Sequence, residues 1–347
     1  MDTTTDVGRH YDERTKHYQQ RKQIPPDELL YRKLCNLAKD DLIKEACLIL
    51  SRQRQGKEGD TKTPSVLEKE KETKAIQITQ LDLGCGKGGD VLKSAMSGVT
   101  TLVGIDPSKE SLIVADARHA ELCETNAQVR NMIFATCQRA DAFDKYLVQD
   151  IDMQFSRAGL PRRFDMIGCQ FALHYGASCL GALRHVLSNI AKLLVDDGIF
   201  LGIIMDSDTL YKHWEGLNKP SEFGNSLFKI RLGTETIHDT KTPCSPTVSR
   251  CFPTGTRIHF TLAETVVDCP EFIINKIELD NLARDHGLAP VDPQTHGSIG
   301  NLSRLLERRE SRHVVRLLQR FMPNERTVPR HVTETLALYT SFMYCKI

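Results

Sequence analysis

The chain has 347 residues, 40% of them hydrophobic, which is enough to bury a sizeable core. Its 46 basic and 45 acidic residues leave a net charge of +1, which excludes a globally basic nucleic-acid binder and allows only local patches. Eleven cysteines are scattered without a C-x-x-C pair. The longest apolar run, 199–205, is far too short to span a bilayer, and Met1-Asp-Thr-Thr-Thr is no apolar leader. The expectation is an intracellular protein with reduced thiols, no structural zinc and no membrane anchor.

Residues 1–50 begin with a polar stretch. Then Leu30, Leu34, Leu37, Ala38 and Leu42 follow Pro25-Pro26 at the spacing of an amphipathic helix, read as an appendage that completes a site in the core. Residues 51–75 are charged, poor in large apolar side chains and interrupted by Gly and Pro, which predicts a mobile loop. From 76 to 205 strands and helices alternate. The predicted strands are Ile76–Leu83, Thr101–Asp106, Ile133–Ala140, Arg163–Gln170 and Ile199–Met205, the last preceded by a helix over Cys179–Leu194 and a Val195-Asp-Asp-Gly turn. Such alternation builds an α/β fold with a mostly parallel sheet and helices on both faces.

Beyond Met205 the alternation stops. Residues 206–347 read as an insertion with strands at Ser226–Leu232 and Arg257–Val267, helices at Ile277–Ala283 and Asn301–Phe321, and a last strand around Leu336–Tyr344.

The stretch around which the chain is arranged is Leu81-Asp-Leu-Gly-Cys-Gly-Lys-Gly-Gly-Asp90. It joins a strand to a helix through glycines, and such a turn lets a cofactor approach the backbone while the helix N-terminus faces it. Gly84, Gly86 and Gly89 satisfy G-x-G-x-x-G, a pattern that alone is weak. The next strand ends in Asp106, about twenty residues on, where a carboxylate meets ribose hydroxyls. An NAD enzyme shares this geometry. S-adenosylmethionine (SAM) is favoured by Asp82 inside the first strand and by Asp141 at the end of the third.

Past the fourth strand, Cys169-Gln-Phe-Ala-Leu-His-Tyr175 places polar and aromatic groups where ligands of open α/β sheets sit. A strand exit whose His and Tyr only cap backbone is the bland alternative. Glu271, between Pro270 and Phe272 beside an apolar strand, needs a donor partner. The N1–H and N2–H₂ edge of guanine is such a partner.

With these residues together, the sequence resembles the eukaryotic mRNA cap guanine-N7 methyltransferase family over nearly its whole length. The glycine motif, Cys-Gln-Phe-x-x-His-Tyr and Pro-Glu-Phe carry the resemblance jointly. It implies a class I SAM-dependent methyltransferase fold and methyl transfer from SAM to N7 of the terminal guanosine of GpppRNA, leaving S-adenosylhomocysteine, without a metal or a general base. It further implies that Lys39, Gly84, Asp106, Asp141, Gln170 and Tyr175 contact SAM. Asn36, Lys87, Lys93, Arg118, His174, Glu271 and Tyr339 would contact the cap, with Glu271, His174 and Tyr175 positioning the base. Implied partners are capped RNA and other capping enzymes or an activating subunit, and the implied location is the nucleus. Two departures stand out: Cys35-Asn36-Leu37 replaces the family's usual Asn-Asn-Trp, and the 51–75 segment is long. A NAD-dependent dehydrogenase with His174 as its proton carrier, and a non-catalytic binding partner of the same fold, are the alternatives. One further pattern stands apart from the family: Arg304, Arg308, Arg312, Arg316 and Arg320 recur every four residues, a cationic stripe beside an apolar row.

Overall fold

The computed structural model describes residues 3–20, 23–59, 77–139, 143–233, 251–263, 266–292, 299–308 and 312–347. Five parallel strands form its centre: β1 (Ile78–Leu83), β2 (Val99–Asp106), β3 (Ile133–Gln138), β4 (Phe164–Gln170) and β5 (Leu194–Met205). They are extended by β10 (Leu288–Pro290) and by β12 (Tyr339–Lys346), which runs antiparallel to β5. The order across the sheet is β10-β12-β5-β4-β1-β2-β3, with β11 (Gly300–Asn301) also pairing with β12. This is the class I methyltransferase arrangement. Its chain reversal lies between β1 and β4, and open α/β sheets bind ligands outside the strand ends at such a point.

The crossovers are α3 (Val91–Met96), α4 (Lys109–Thr125), α5 (Ala127–Asn131), α6 (Leu147–Ala158) and α7 (Leu180–Leu193). Among them α4 starts cleanly, because the Ser108 side chain accepts from Ser111 N. A second sheet, antiparallel, has the order β6 (Glu222–Gly224), β7 (Phe228–Leu232), β8 (Arg257–Leu262), β9 (Val266–Phe272). On β7 Phe228, Ile230 and Leu232 are buried while Lys229 and Arg231 are exposed, the period of two that marks one covered face.

Several expectations need correcting. The N-terminal region is not an appendage: in α2 (Pro26–Gly59), Leu30, Leu34, Leu42 and Ile43 are fully buried in one core with β1, β4 and β5. The helix also runs on through Ser51–Gly59, where a loop was expected. The polar residues there, Arg52, Gln53, Arg54 and Gln55, are good helix formers, and Arg54 is held by the Gln77 carbonyl and Asp165. The polar start is helical too, as α1 (Thr3–Gln20). Residues 195–198 are no turn but an irregularity inside β5, with Asp197 at φ 60° and the pairing to β4 shifted there. The expected strand at 257–267 is a hairpin of β8 and β9, and the last strand is preceded by a helix, Arg330–Ala337. Among the described residues no helix is long and apolar enough to cross a membrane.

Candidate functional site

A cavity of about 490 Å³ opens at the carboxyl ends of the central strands, within the size range of small-molecule sites. Its floor is the turn after β1. Gly84 N and Cys85 N donate to Ile105 O at 2.8 and 3.1 Å, which folds the turn back onto β2. Gly84 has φ +74°, and a Cβ there would stand 2.5 Å from the Cβ of Ala172. Gly84→Ala is therefore expected to destabilise the fold by about 1–3 kcal/mol and to displace the turn. A chemical denaturation midpoint equal to wild type would contradict that.

Asp106 ends β2, and Gly86 N donates to its Oδ2 at 2.8 Å while Ser108 N donates to its Oδ1 at 2.9 Å. Both donors belong to backbone, so the carboxylate is fixed in direction with lone pairs still facing the cavity that it lines. Burial raises its pKa, against the two backbone donors.

Behind the turn lies a buried charge cluster. Lys39 Nζ stands 3.2 Å from Asp90 Oδ2, and Lys93 Nζ stands 2.9 Å from Asp90 Oδ1 and also reaches the Gly89 carbonyl. Burial alone would raise the Asp90 carboxyl, but Lys39 and Lys93 pull it down to about 2. Neighbouring Asp82 goes the other way, pushed up to about 7 by burial and by the Asp90 charge. Lys39 lines the cavity; Lys93 does not, because Asp90, three residues before it on the same turn of helix, has captured its ammonium.

At the other end β4 delivers Gln170, whose side-chain oxygen and nitrogen are both buried without a hydrogen-bond partner among the described residues. Phe171 follows at φ 60°, an unusual conformation for an aromatic residue, and its ring meets Tyr339 edge-on at 5.0 Å. A 3-10 turn over Leu173–Gly176 then presents His174 and Tyr175. Facing them, Glu271 occupies the inward, alternate position with Cys269 on β9, and both are buried. The Tyr175 hydroxyl donates to Glu271 Oε1 at 3.5 Å and contacts the Tyr11 hydroxyl at 2.8 Å. Burial pushes the Glu271 carboxyl up to about 8, against the Tyr175 hydrogen bond. His174 Nε2 lies 3.6 Å from Glu271 Oε1, but burial lowers its pKa to about 3, so the contact is between a neutral imidazole and a carboxyl.

Four cations also line the cavity: Arg14, Arg32, Lys87 and Arg118. Burial, then Arg32 and Arg118, push the Lys87 ammonium down to about 8. A bound anion would offset both the burial of this ammonium and the repulsion from Arg32 and Arg118.

Of the residues expected at a site, Asn36, Lys39, Gly84, Lys87, Asp106, Arg118, Gln170, His174, Tyr175, Glu271 and Tyr339 all line this one cavity. Lys93 lies outside it, and Asp141 falls outside the described residues. Sequence reasoning missed Tyr11, Arg14 and Arg32 as cavity residues. The first two sit on a polar helix with no apolar row to announce it, and Arg32, one turn before Asn36 on α2, is given no role.

The chain is similar to mRNA cap guanine-N(7) methyltransferase of Schizosaccharomyces pombe, 31% identical over 199 residues, 57% of this chain and 49% of that protein. It is also 31% identical over 217 residues to mRNA cap guanine-N(7) methyltransferase 1 of Arabidopsis thaliana, 60% of this chain and 52% of that one. The chain thus spans about half the length of the curated relatives it matches. Among solved structures, magnesium protoporphyrin IX methyltransferase from Synechocystis PCC 6803 superposes with a TM-score of 0.46 at 10% identity, over 100% of this chain and 98% of that one. The model of the mRNA (guanine-N(7))-methyltransferase domain matches residues 1–347, and the chain belongs to that family.

Proposed function

We propose that the chain transfers a methyl group from SAM to N7 of the 5′-terminal guanosine of capped RNA, and that it does so in the nucleus. The observation that carries this reading is that one cavity holds both a fixed, cavity-facing carboxylate after a glycine turn and a buried carboxyl framed by Tyr175 and His174, with cations in the same lining. The first end fits a nucleoside, because Asp106 retains acceptor capacity for two ribose hydroxyls and the orphaned amide of Gln170 faces the same space. Gly84, Tyr175 and Lys39 complete the SAM side, Lys39 toward the methionyl end. Asn36, Lys87 and Arg118 would hold the triphosphate side, and His174, Glu271 and Tyr339 the base. Lys93 is left out of that set because, unlike Lys39, it does not line the cavity.

When bound, SAM supplies an electrophilic methyl on a sulfonium. Guanine N7 carries no proton, so no residue needs to act as a general base. The protein's part is to hold N7 in line, an effect worth on the order of 7–11 kcal/mol. Neutral His174 and the Tyr175 hydroxyl orient the base. Glu271, once ionised, accepts from N1–H and N2–H₂ and pushes electron density toward N7.

Asp106→Ala should weaken SAM binding by about 1.5–3 kcal/mol, the worth of hydrogen bonds to a charged group. Calorimetry on the folded variant with unchanged SAM affinity would overturn the assignment. An inosine cap lacks N2–H₂ and should be disfavoured by about 1–3 kcal/mol relative to guanosine. Equal rates on both caps would remove Glu271 from base recognition.

The arginine stripe is proposed to guide the transcript beyond the cap. Arg304, Arg316 and Arg320 are exposed, while the side chains of Arg308 and Arg312 lie outside the described residues. The row beside them is partly or fully buried at Leu305, Leu306, Val314, Leu317 and Leu318. Each lost phosphate contact lowers the salt slope of RNA binding by about 0.7–0.9. Arg316→Gln with Arg320→Gln should therefore weaken and flatten the salt dependence for long capped RNA and spare GpppG. An equal response of both ligands would mark the stripe as a solvated face.

A further inference from the structure

Successive residues of a helix point about 100° apart, so two neighbours on one helix reach different parts of a site. On α1 those neighbours are Tyr11 and Asp12. The Tyr11 hydroxyl meets the Tyr175 hydroxyl at 2.8 Å. Tyr175 also reaches Glu271 Oε1, so the order Tyr11, Tyr175, Glu271 runs to the base end of the cavity. Asp12 Oδ1 accepts from Ser108 Oγ at 2.6 Å and from Glu110 N at 3.1 Å. Ser108 N in turn donates to Asp106 Oδ1, so the order Asp12, Ser108, Asp106 runs to the nucleoside end.

Further contacts seat the same helix on the residues that follow Asp106. Gly8 lies against Pro107, the residue after Asp106, where an added Cβ would come within 3.3 Å of the Pro107 carbonyl oxygen. Thr15 Oγ1 meets Ser111 Oγ at 3.3 Å. The docking of α1 thus draws in part on Tyr175 and on Ser108, which holds Asp106.

We infer that α1 couples the two ends of the cavity, with Tyr11 and Asp12 as positioning residues through which occupancy at Asp106 favours the arrangement of Tyr175 and Glu271, and the reverse. The inference rests on the reading of the cavity as a SAM and cap-guanosine site. A ligand that fixes Asp106 and Ser108 holds Asp12, hence α1, hence the Tyr11 hydroxyl against that of Tyr175, so the second ligand meets a wall already ordered. Linkage makes the effect reciprocal in affinity.

The test is calorimetric titration of the full chain with S-adenosylhomocysteine, which cannot react, with and without saturating GpppG, and of GpppG with and without S-adenosylhomocysteine. Wild type should show the same enhancement in both directions, about fivefold or more. Tyr11→Phe and Asp12→Ala should each bring that ratio below about twofold. Asp12→Asn, which keeps an oxygen for both donors, should retain the wild-type ratio, as should Lys16→Ala, which removes only the outward pair with Glu110. A merely structural role would lower thermal stability or both affinities and leave the ratio in place. Wild-type ratios in Tyr11→Phe and Asp12→Ala, with both ligands bound, overturn the coupling alone. A chain that binds neither ligand overturns the reading of the cavity and the coupling with it.

Discussion

The kcat/KM for capped RNA is expected to climb about tenfold per pH unit below about pH 8, because the guanine edge offers N–H donors and Glu271 can accept from them only as a carboxylate. In the free protein that carboxyl titrates at about 8, held up by burial, so each unit below costs a decade of the competent form. Above about 8 a second group acts with the opposite sign: Lys87, also near 8, loses the charge proposed to hold phosphate. The profile is therefore a bell. Glu271→Gln should abolish the acid limb and lower the maximum by about 2–5 kcal/mol, as truncation of a buried, hydrogen-bonded charge partner does. Lys87→Arg should abolish only the alkaline limb. His174 contributes nothing to this range, since it titrates near 3. The same carboxyl sets a stability trend: raised from 4.5 to about 8, it favours the ligand-free fold at low pH, and that contribution is lost as pH rises toward 8. An acid limb that persists in Glu271→Gln would show that another group limits cap binding.

The second large effect concerns stability rather than chemistry. Asp90→Ala removes the anion against which the ammonium groups of Lys39 and Lys93 both rest, only 19% and 13% exposed. Breaking a buried pair from one side costs about 3–5 kcal/mol, because the remaining charge stays buried and uncompensated. Asp40→Ala, which cuts the exposed pair with Lys44, should change stability by about 0.5 kcal/mol or less. Urea denaturation of the two variants checks the contrast, and an Asp90→Ala loss under about 1 kcal/mol would contradict it.

The strands that carry the cavity were legible because their signals are local. Leu81-Asp-Leu83 and Leu102–Asp106 are apolar runs that stop at glycine or an acid, and Glu271 shares the inward period of its strand with Cys269. What escaped depends on contacts made far along the chain. The α1 helix has no apolar row; it is held by Asp12 on Ser108 and Tyr11 on Tyr175, partners 96 and 164 residues away. Lys93 was drawn toward the phosphates by resemblance, whereas its i,i+3 relation to Asp90 already tied it to the turn. The extension of α2 past residue 50 was hidden by charge, which on a helix surface is solvation and in a loop reads the same.

The most direct test of the account incubates the purified chain with methyl-labelled SAM and GpppG-capped RNA, digests the product, and identifies the atom that carries the label. The account predicts label at N7 of the terminal guanosine, lost in Asp106→Ala and in Glu271→Ala. Label on a ribose hydroxyl or on an internal base, or no transfer by a chain that binds both SAM and GpppG, would contradict it.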